Sequence, residues 1–129
     1  PTETVYGLAG NAYSSQAVGF FAGKYGNKNQ DTTAGYFPWA IKHYFMEENF
    51  KRFKRAEKLA KTHSCTPNDI ALAYIYNQKF PAIPIIGSRN VEQIEDSCKN
   101  SDIVLDAKEI AYLEGGKNFM QILRSFVFR

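Results

Sequence analysis

Residues 82–95 constrain the fold of this chain more tightly than any other stretch. The apolar run Ala82-Ile83-Pro84-Ile85-Ile86 reads as a buried strand, Gly87-Ser88-Arg89 as a tight turn, and Asn90 with Gln93 as the capped start of a helix. A strand that passes through so short a turn into a helix belongs to a sheet whose crossovers are helical, and such sheets are parallel. The turn also offers a place for an anion. Backbone N–H groups at a helix start are unpaired and carry the positive end of the helix dipole, and Arg89 adds a cation beside them. A solvated turn accounts for the same residues, so local chemistry leaves both readings open.

The remaining elements extend this pattern. Val5 to Tyr13 is apolar with interspersed glycines and suits a strand with a bend. A polar, glycine-containing stretch from Gly23 to Pro38 shows neither helical nor strand period and predicts a long loop, taken as residues 24–46, of the kind that forms either a binding surface or a connector. Phe50, Phe53, Ala56, Leu59 and Ala60 recur on one helical face between Glu47 and His63, with lysines and arginines opposite. Thr66-Pro67-Asn68-Asp69 supplies a hydroxyl cap, a proline at the first helical position and a carboxylate at the third, so a second helix runs to about Asn77. Ile70, Ala71, Ala73, Tyr74 and Ile75 give it apolar surface on most sides. Asp106 with Glu109 caps a last helix that stops at Gly115-Gly116.

Composition narrows the class. The chain has 129 residues, with 44% hydrophobic and 22% charged, which fits one soluble globular domain without a membrane-spanning run. It opens on Pro1-Thr2-Glu3-Thr4 without an initiator Met or a secretory leader, and two strands do not make a sheet that buries both faces. The expectation is a piece of a larger α/β fold. The basic run Lys51-Arg52-Phe53-Lys54-Arg55 lies beside Glu47, Glu48 and Glu57 and reads as a solvated helix face rather than a nucleic-acid surface. Cys65 and Cys98 lack metal-type spacing and are too few to staple a secreted domain, which suggests a reducing, cytoplasmic setting.

Several segments in order resemble aldo-keto reductases: Thr66-Pro67-Asn68-Asp69-Ile70-Ala71-Leu72-Ala73-Tyr74, Phe80 through Ile94, and Leu105-Asp106-Ala107-Lys108-Glu109-Ile110-Ala111-Tyr112-Leu113. Ala12 through Phe21 resembles that family's seventh barrel strand and the loop after it, so the similarity covers about residues 12–114. The resemblance implies the C-terminal portion of a (β/α)8 TIM barrel, mostly helical with two short parallel strands, and NADP as cofactor. It implies that Tyr13 stacks on the nicotinamide ring and that Ser14, Ser15 and Gln16 lie along the pyrophosphate. It implies further that Gly87, Ser88 and Arg89 hold the 2′-phosphate, while Gln93, Asp96 and Ser97 contact the phosphate and adenine. The family usually has Glu then Asn where this chain has Asp96 then Ser97, and often Arg or Gln at Val18.

The same resemblance implies an oxidoreductase whose Tyr, Lys, Asp and His come from the first half of the barrel. No such set is identifiable here. His43 and His63 read as surface histidines, and no catalytic residue or metal ligand is assigned. The expectation is a cofactor-binding fragment, inactive alone, that associates with the missing barrel half or with further copies of itself. Pro1 through Ala12 resembles the YrdC-like threonylcarbamoyl-AMP synthases, which implies as alternatives an ATP-binding fragment of a tRNA-modifying enzyme or a chimera without activity, with a seam between Gly10 and Ala17.

Overall fold

The computed structural model describes residues 9–13, 15–21 and 42–115. The expected loop therefore lies mostly outside the described residues, as do most of the YrdC-like segment, Ser14 and Gly116; residues 42–44 are already helical. Along the chain come β1 (Gly10–Ala12), a 3-10 turn (Ala17–Gly19), α1 (Glu47–Thr62), α2 (Pro67–Tyr76), β2 (Ala82–Pro84), α3 (Val91–Cys98) and α4 (Ala107–Gly115).

The two strands pair in parallel, with Gly10 opposite Ala82 and Ala12 opposite Pro84. Gly10 N–H donates to the Pro81 carbonyl at 2.7 Å, and Ile85 N–H to the Ala12 carbonyl at 2.9 Å. Pro84 has no N–H to give, so the ladder is carried past it by Ile85. Gly10 allows a close approach: a Cβ there would sit 3.1 Å from the Phe80 ring, which would have to shift to admit it. The expectation of a buried strand needs correction, because Ile83 is 54% and Ile85 47% exposed. Strand alternation puts these two side chains on one face, and no described element covers it.

Helices form the core. Ala56, Leu59 and Ala60 of α1 pack with Ile70 and Ala73 of α2, Leu105, and Leu113 of α4. A second cluster joins Ala17, Phe20 and Phe53, with Phe21, Tyr44, Phe45 and Phe50 around it. Phe20 meets Phe53 edge to face at 6.0 Å and Phe50 at 5.3 Å. This cluster anchors the segment after β1 onto α1. The basic residues of α1 form a charged face as expected: Lys51 pairs with Glu47, and Arg52 and Arg55 both reach Glu48. Arg55 also donates to the Leu113 carbonyl near the end of α4, and its hydrogen bond to Glu48 holds that carboxyl below its ordinary range.

Helix ends follow their capping residues. The last turn of α1 closes with Ser64 in the left-handed region (φ 53°) and Cys65 N–H donating to the Ala60 carbonyl. His63 is not the free surface histidine that the sequence suggests: its ring lies 2.7 Å from Glu109 and ties the end of α1 to α4. Thr66 and Asp69 form a reciprocal capping box at α2. The Asp69 carboxylate is buried and accepts from Thr66 N–H, the Thr66 hydroxyl and the Asn100 side-chain amide. Asn77 at the far end of α2 donates to the Ala73 and Ile103 carbonyls. Asp69→Ala removes the acceptor of three donors in one step and should destabilise the fold by about 3 kcal/mol, read as a lower denaturant midpoint with unchanged m-value.

Candidate functional site

Parallel pairing sends β1 and β2 the same way, so the turns that follow them meet at one edge of the sheet. That edge, at the carboxyl ends of parallel strands, is where α/β folds place ligands. The contact between the two turns is direct. The Ser15 hydroxyl lies 2.7 Å from the Ala12 carbonyl and 3.0 Å from the Ile85 carbonyl, bridging the ends of both strands. Its proton is committed inward, which leaves oxygen lone pairs, not a hydrogen-bond donor, for anything outside.

On the β1 side the most exposed large side chain is Tyr13, at 82%. An open phenol ring at the end of a strand is a platform for a flat heterocycle. Beyond it the chain makes a left-handed turn, with Ala17 (φ 48°), Val18 (φ 55°) and Gly19 (φ 85°) in sequence. Only the glycine suits that conformation; a β-branched valine there is strained by roughly 1–2 kcal/mol. Burial of Ala17 and Phe20 in the aromatic cluster holds the turn against this strain. The pattern Ala17-Val18-Gly19 carries one hint of it, the glycine.

On the β2 side, Gly87 is open and exposed, and Ser88 is half-buried. Asn90 caps α3 by accepting from Gln93 N–H at 2.9 Å, while the Gln93 side-chain carbonyl accepts from Arg89 N–H at 2.9 Å. The two caps occupy these backbone donors and leave the Gln93 amide N–H groups and the Arg89 guanidinium facing no partner among the described residues. Arg89 is exposed and forms no ion pair among them. It is the available cation of this edge, beside the positive end of α3.

Three more of the expected residues fall on α3 or against it. Asp96 is exposed and pairs with Lys99 at 2.7 Å, an interaction that raises the lysine above its ordinary range. Ser97 is buried, at 5% exposure. Its hydroxyl donates to the Gln93 carbonyl at 2.8 Å and accepts from the Gln16 side-chain amide at 2.9 Å. This bond, across 81 residues of sequence, has no local signature and was not foreseeable from spacing. The edge thus brings Tyr13, Ser15, Gln16, Gly87, Ser88, Arg89, Gln93 and Ser97 into two facing turns and one helix. His43 and the His63–Glu109 pair belong to other elements, and no group of His, Cys, Asp and Glu among the described residues could hold a metal ion.

Comparison with known proteins agrees with this architecture. The profile of the aldo/keto reductase family matches residues 5–117. The chain belongs to the aldo/keto reductase family. Membership implies that β1 and β2 are part of a TIM barrel. A protein named "Probable aldo-keto reductase 1" from Glycine max is 29% identical over 104 residues, which are 76% of this chain and 29% of that protein. The chain therefore spans less than a third of the length of this relative. The family match begins at residue 5 and runs unbroken through Val5–Ala12 and across the suspected seam. Nothing supports a separate YrdC-like segment, and the apolar, glycine-containing residues of that stretch are accounted for as barrel sequence. Among the described residues, no helix is long and apolar enough to cross a membrane. Because Val18 sits in the left-handed region (φ 55°), Val18→Gly should relax the turn and raise the unfolding free energy by about 1 kcal/mol, measured by chemical denaturation.

Proposed function

We propose that this chain forms the cofactor-holding side of an NADPH-dependent carbonyl reductase. The observation that carries the reading is the pairing of an open aromatic ring, Tyr13, with a free guanidinium, Arg89, at the carboxyl edge of two adjacent parallel strands. A dinucleotide has matching ends: a flat nicotinamide for the ring and, in NADPH alone, a 2′-phosphate dianion for the cation. The family generally uses NADPH, and the site follows the family's order. Tyr13 stacks on nicotinamide, Ser14, Ser15 and Gln16 border the pyrophosphate, and Gly87, Ser88 and Arg89 receive the 2′-phosphate. Gln93 and Asp96 flank the adenine end, with Ser97 buried behind them. Asp96 reaches one methylene less than the usual Glu and is engaged by Lys99, so its hold on the adenosine is weaker.

Hydride transfer to a carbonyl leaves an alkoxide that needs a proton, and that proton comes from an acid beside the substrate. No described residue stands near Tyr13 in that role. The acid and its supporting residues come instead from barrel strands that would pack on the exposed Ile83 and Ile85 face, supplied by the remainder of the protein or by another chain.

Two measurements test this reading. NADPH should bind more tightly than NADH, and Arg89→Ala should weaken NADPH roughly 10- to 100-fold while leaving NADH within about 2-fold. Equal affinity for both dinucleotides would remove the 2′-phosphate from the account. The 129-residue chain alone, mixed with NADPH and a panel of aldehydes, should consume no cofactor above the Arg89→Ala control. Consumption above that control places the proton donor within this chain.

A further inference from the structure

We propose that Gln16 and Ser97 are a positioning pair that sets the separation of the two cofactor-binding turns, and that Ser97 itself does not touch the cofactor. The inference rests on the NADPH reading given above and assigns these two residues a different role within it. A serine hydroxyl has one proton, and Ser97 spends it on the Gln93 carbonyl at 2.8 Å. One lone pair accepts the Gln16 amide at 2.9 Å. The side chain is 5% exposed, so nothing on the open edge reaches what remains of its hydrogen-bonding capacity.

What the bond joins gives it a purpose. Gln16 lies between the Tyr13 ring and the strained left-handed turn at Ala17, Val18 and Gly19. Ser97 lies one helical turn beyond Gln93, whose side chain accepts the Arg89 N–H at 2.9 Å. Polar contacts therefore tie Gln16 to Ser97 and Ser97 to the Gln93 main chain, while the Gln93 side chain holds the Arg89 backbone, so the turn after Tyr13 is fastened to the helix that also holds the turn of Arg89. The strain at Val18 makes the β1 turn depend on outside restraints, and this bond is one of them. A ligand that bridges both turns feels their separation; a ligand that occupies one turn does not.

That difference is the test. Adenosine 2′-monophosphate carries the 2′-phosphate and adenine but neither pyrophosphate nor nicotinamide, so it engages only the β2 side. Ser97→Ala should weaken NADPH about 3- to 10-fold and leave the monophosphate within about 2-fold, with Ser97→Thr restoring NADPH affinity. The loss should vanish when Ser97→Ala is made in a Gln16→Ala background. Equal losses for both ligands, or a full loss that persists without Gln16, would mean direct contact with the adenosine and would overturn the proposal.

Absence of binding to either ligand by the unaltered protein defeats the cofactor reading instead. The pair is then judged without ligand, by the NMR amide resonances of the Gln16 side chain and the Arg89 backbone. Both should move in Ser97→Ala, the Arg89 resonance should also move in Gln16→Ala, and an Arg89 resonance unmoved in both variants overturns the coupling. Should Ser97→Ala not fold, Ser97→Cys carries the same comparison, because a thiol fills the site but is a weaker donor and acceptor.

Discussion

The Ile85 N–H to Ala12 carbonyl bond and the Gly10 N–H to Pro81 carbonyl bond bind β1 to β2, and most of what this molecule presents at its open edge depends on that pairing. A parallel pair shares a direction, so its two outgoing turns share an edge; an antiparallel pair would put Tyr13 and Arg89 at opposite ends. Only three residues of each strand pair, and Pro84 removes one donor. The register is secured by side chains as well: the close fit of Gly10 against Phe80 and the Ser15 bridge between Ala12 and Ile85. So short a ladder is marginal alone. Helices α1, α2 and α4 supply the apolar burial that the strands lack, and Phe20 fastens the β1 turn to α1 through Phe53.

Much of this was legible in the sequence because its signals were local. Apolar spacing from Phe50 to Ala60 placed α1, and Thr66 with Asp69, Asn90 with Gln93, and Asp106 with Glu109 each placed a helix start within a residue. The exposure of Lys51, Arg52 and Lys54 on α1 followed from the glutamates interleaved with them, whereas Arg55, its side chain only 14% exposed, turns in to the Leu113 carbonyl. The parts that escaped are long-range. An apolar strand looks the same whether both faces are covered or one, so the exposure of Ile83 and Ile85 could not be read from the run itself. The His63–Glu109 contact joins residues 46 apart, and the Gln16–Ser97 bond joins residues 81 apart. Neither pair has any mutual spacing rule, since only tertiary packing brings them together.

The candidate site was partly legible for the same reason. Gly87-Ser88-Arg89 is compatible with an anion site or a solvated turn on its own chemistry, and it was the order of the surrounding segments that favoured the first. Roles within the site were harder to assign, because a serine or glutamine in a turn is equally able to bind a ligand or a neighbouring carbonyl. Here the neighbours won: Ser15 and Ser97 turn their hydroxyl protons inward, and Gln93 gives its carbonyl to the backbone of Arg89.

That inward commitment shapes what the edge can recognise. With the Ser15 and Ser97 hydroxyl protons spent on the scaffold, the groups left open include an aromatic face, the Gln93 amide N–H groups and a guanidinium. Stacking on Tyr13 accepts any flat ring, so it contributes affinity without much choice between ligands. A guanidinium distinguishes a phosphate dianion from a ribose hydroxyl by charge as well as by geometry, and its attraction is least screened where the helix dipole adds to it. These two groups lie beyond different strands, the Tyr13 ring after β1 and the Arg89 guanidinium after β2 at the start of α3, so a single ligand that meets both must cross the paired edge.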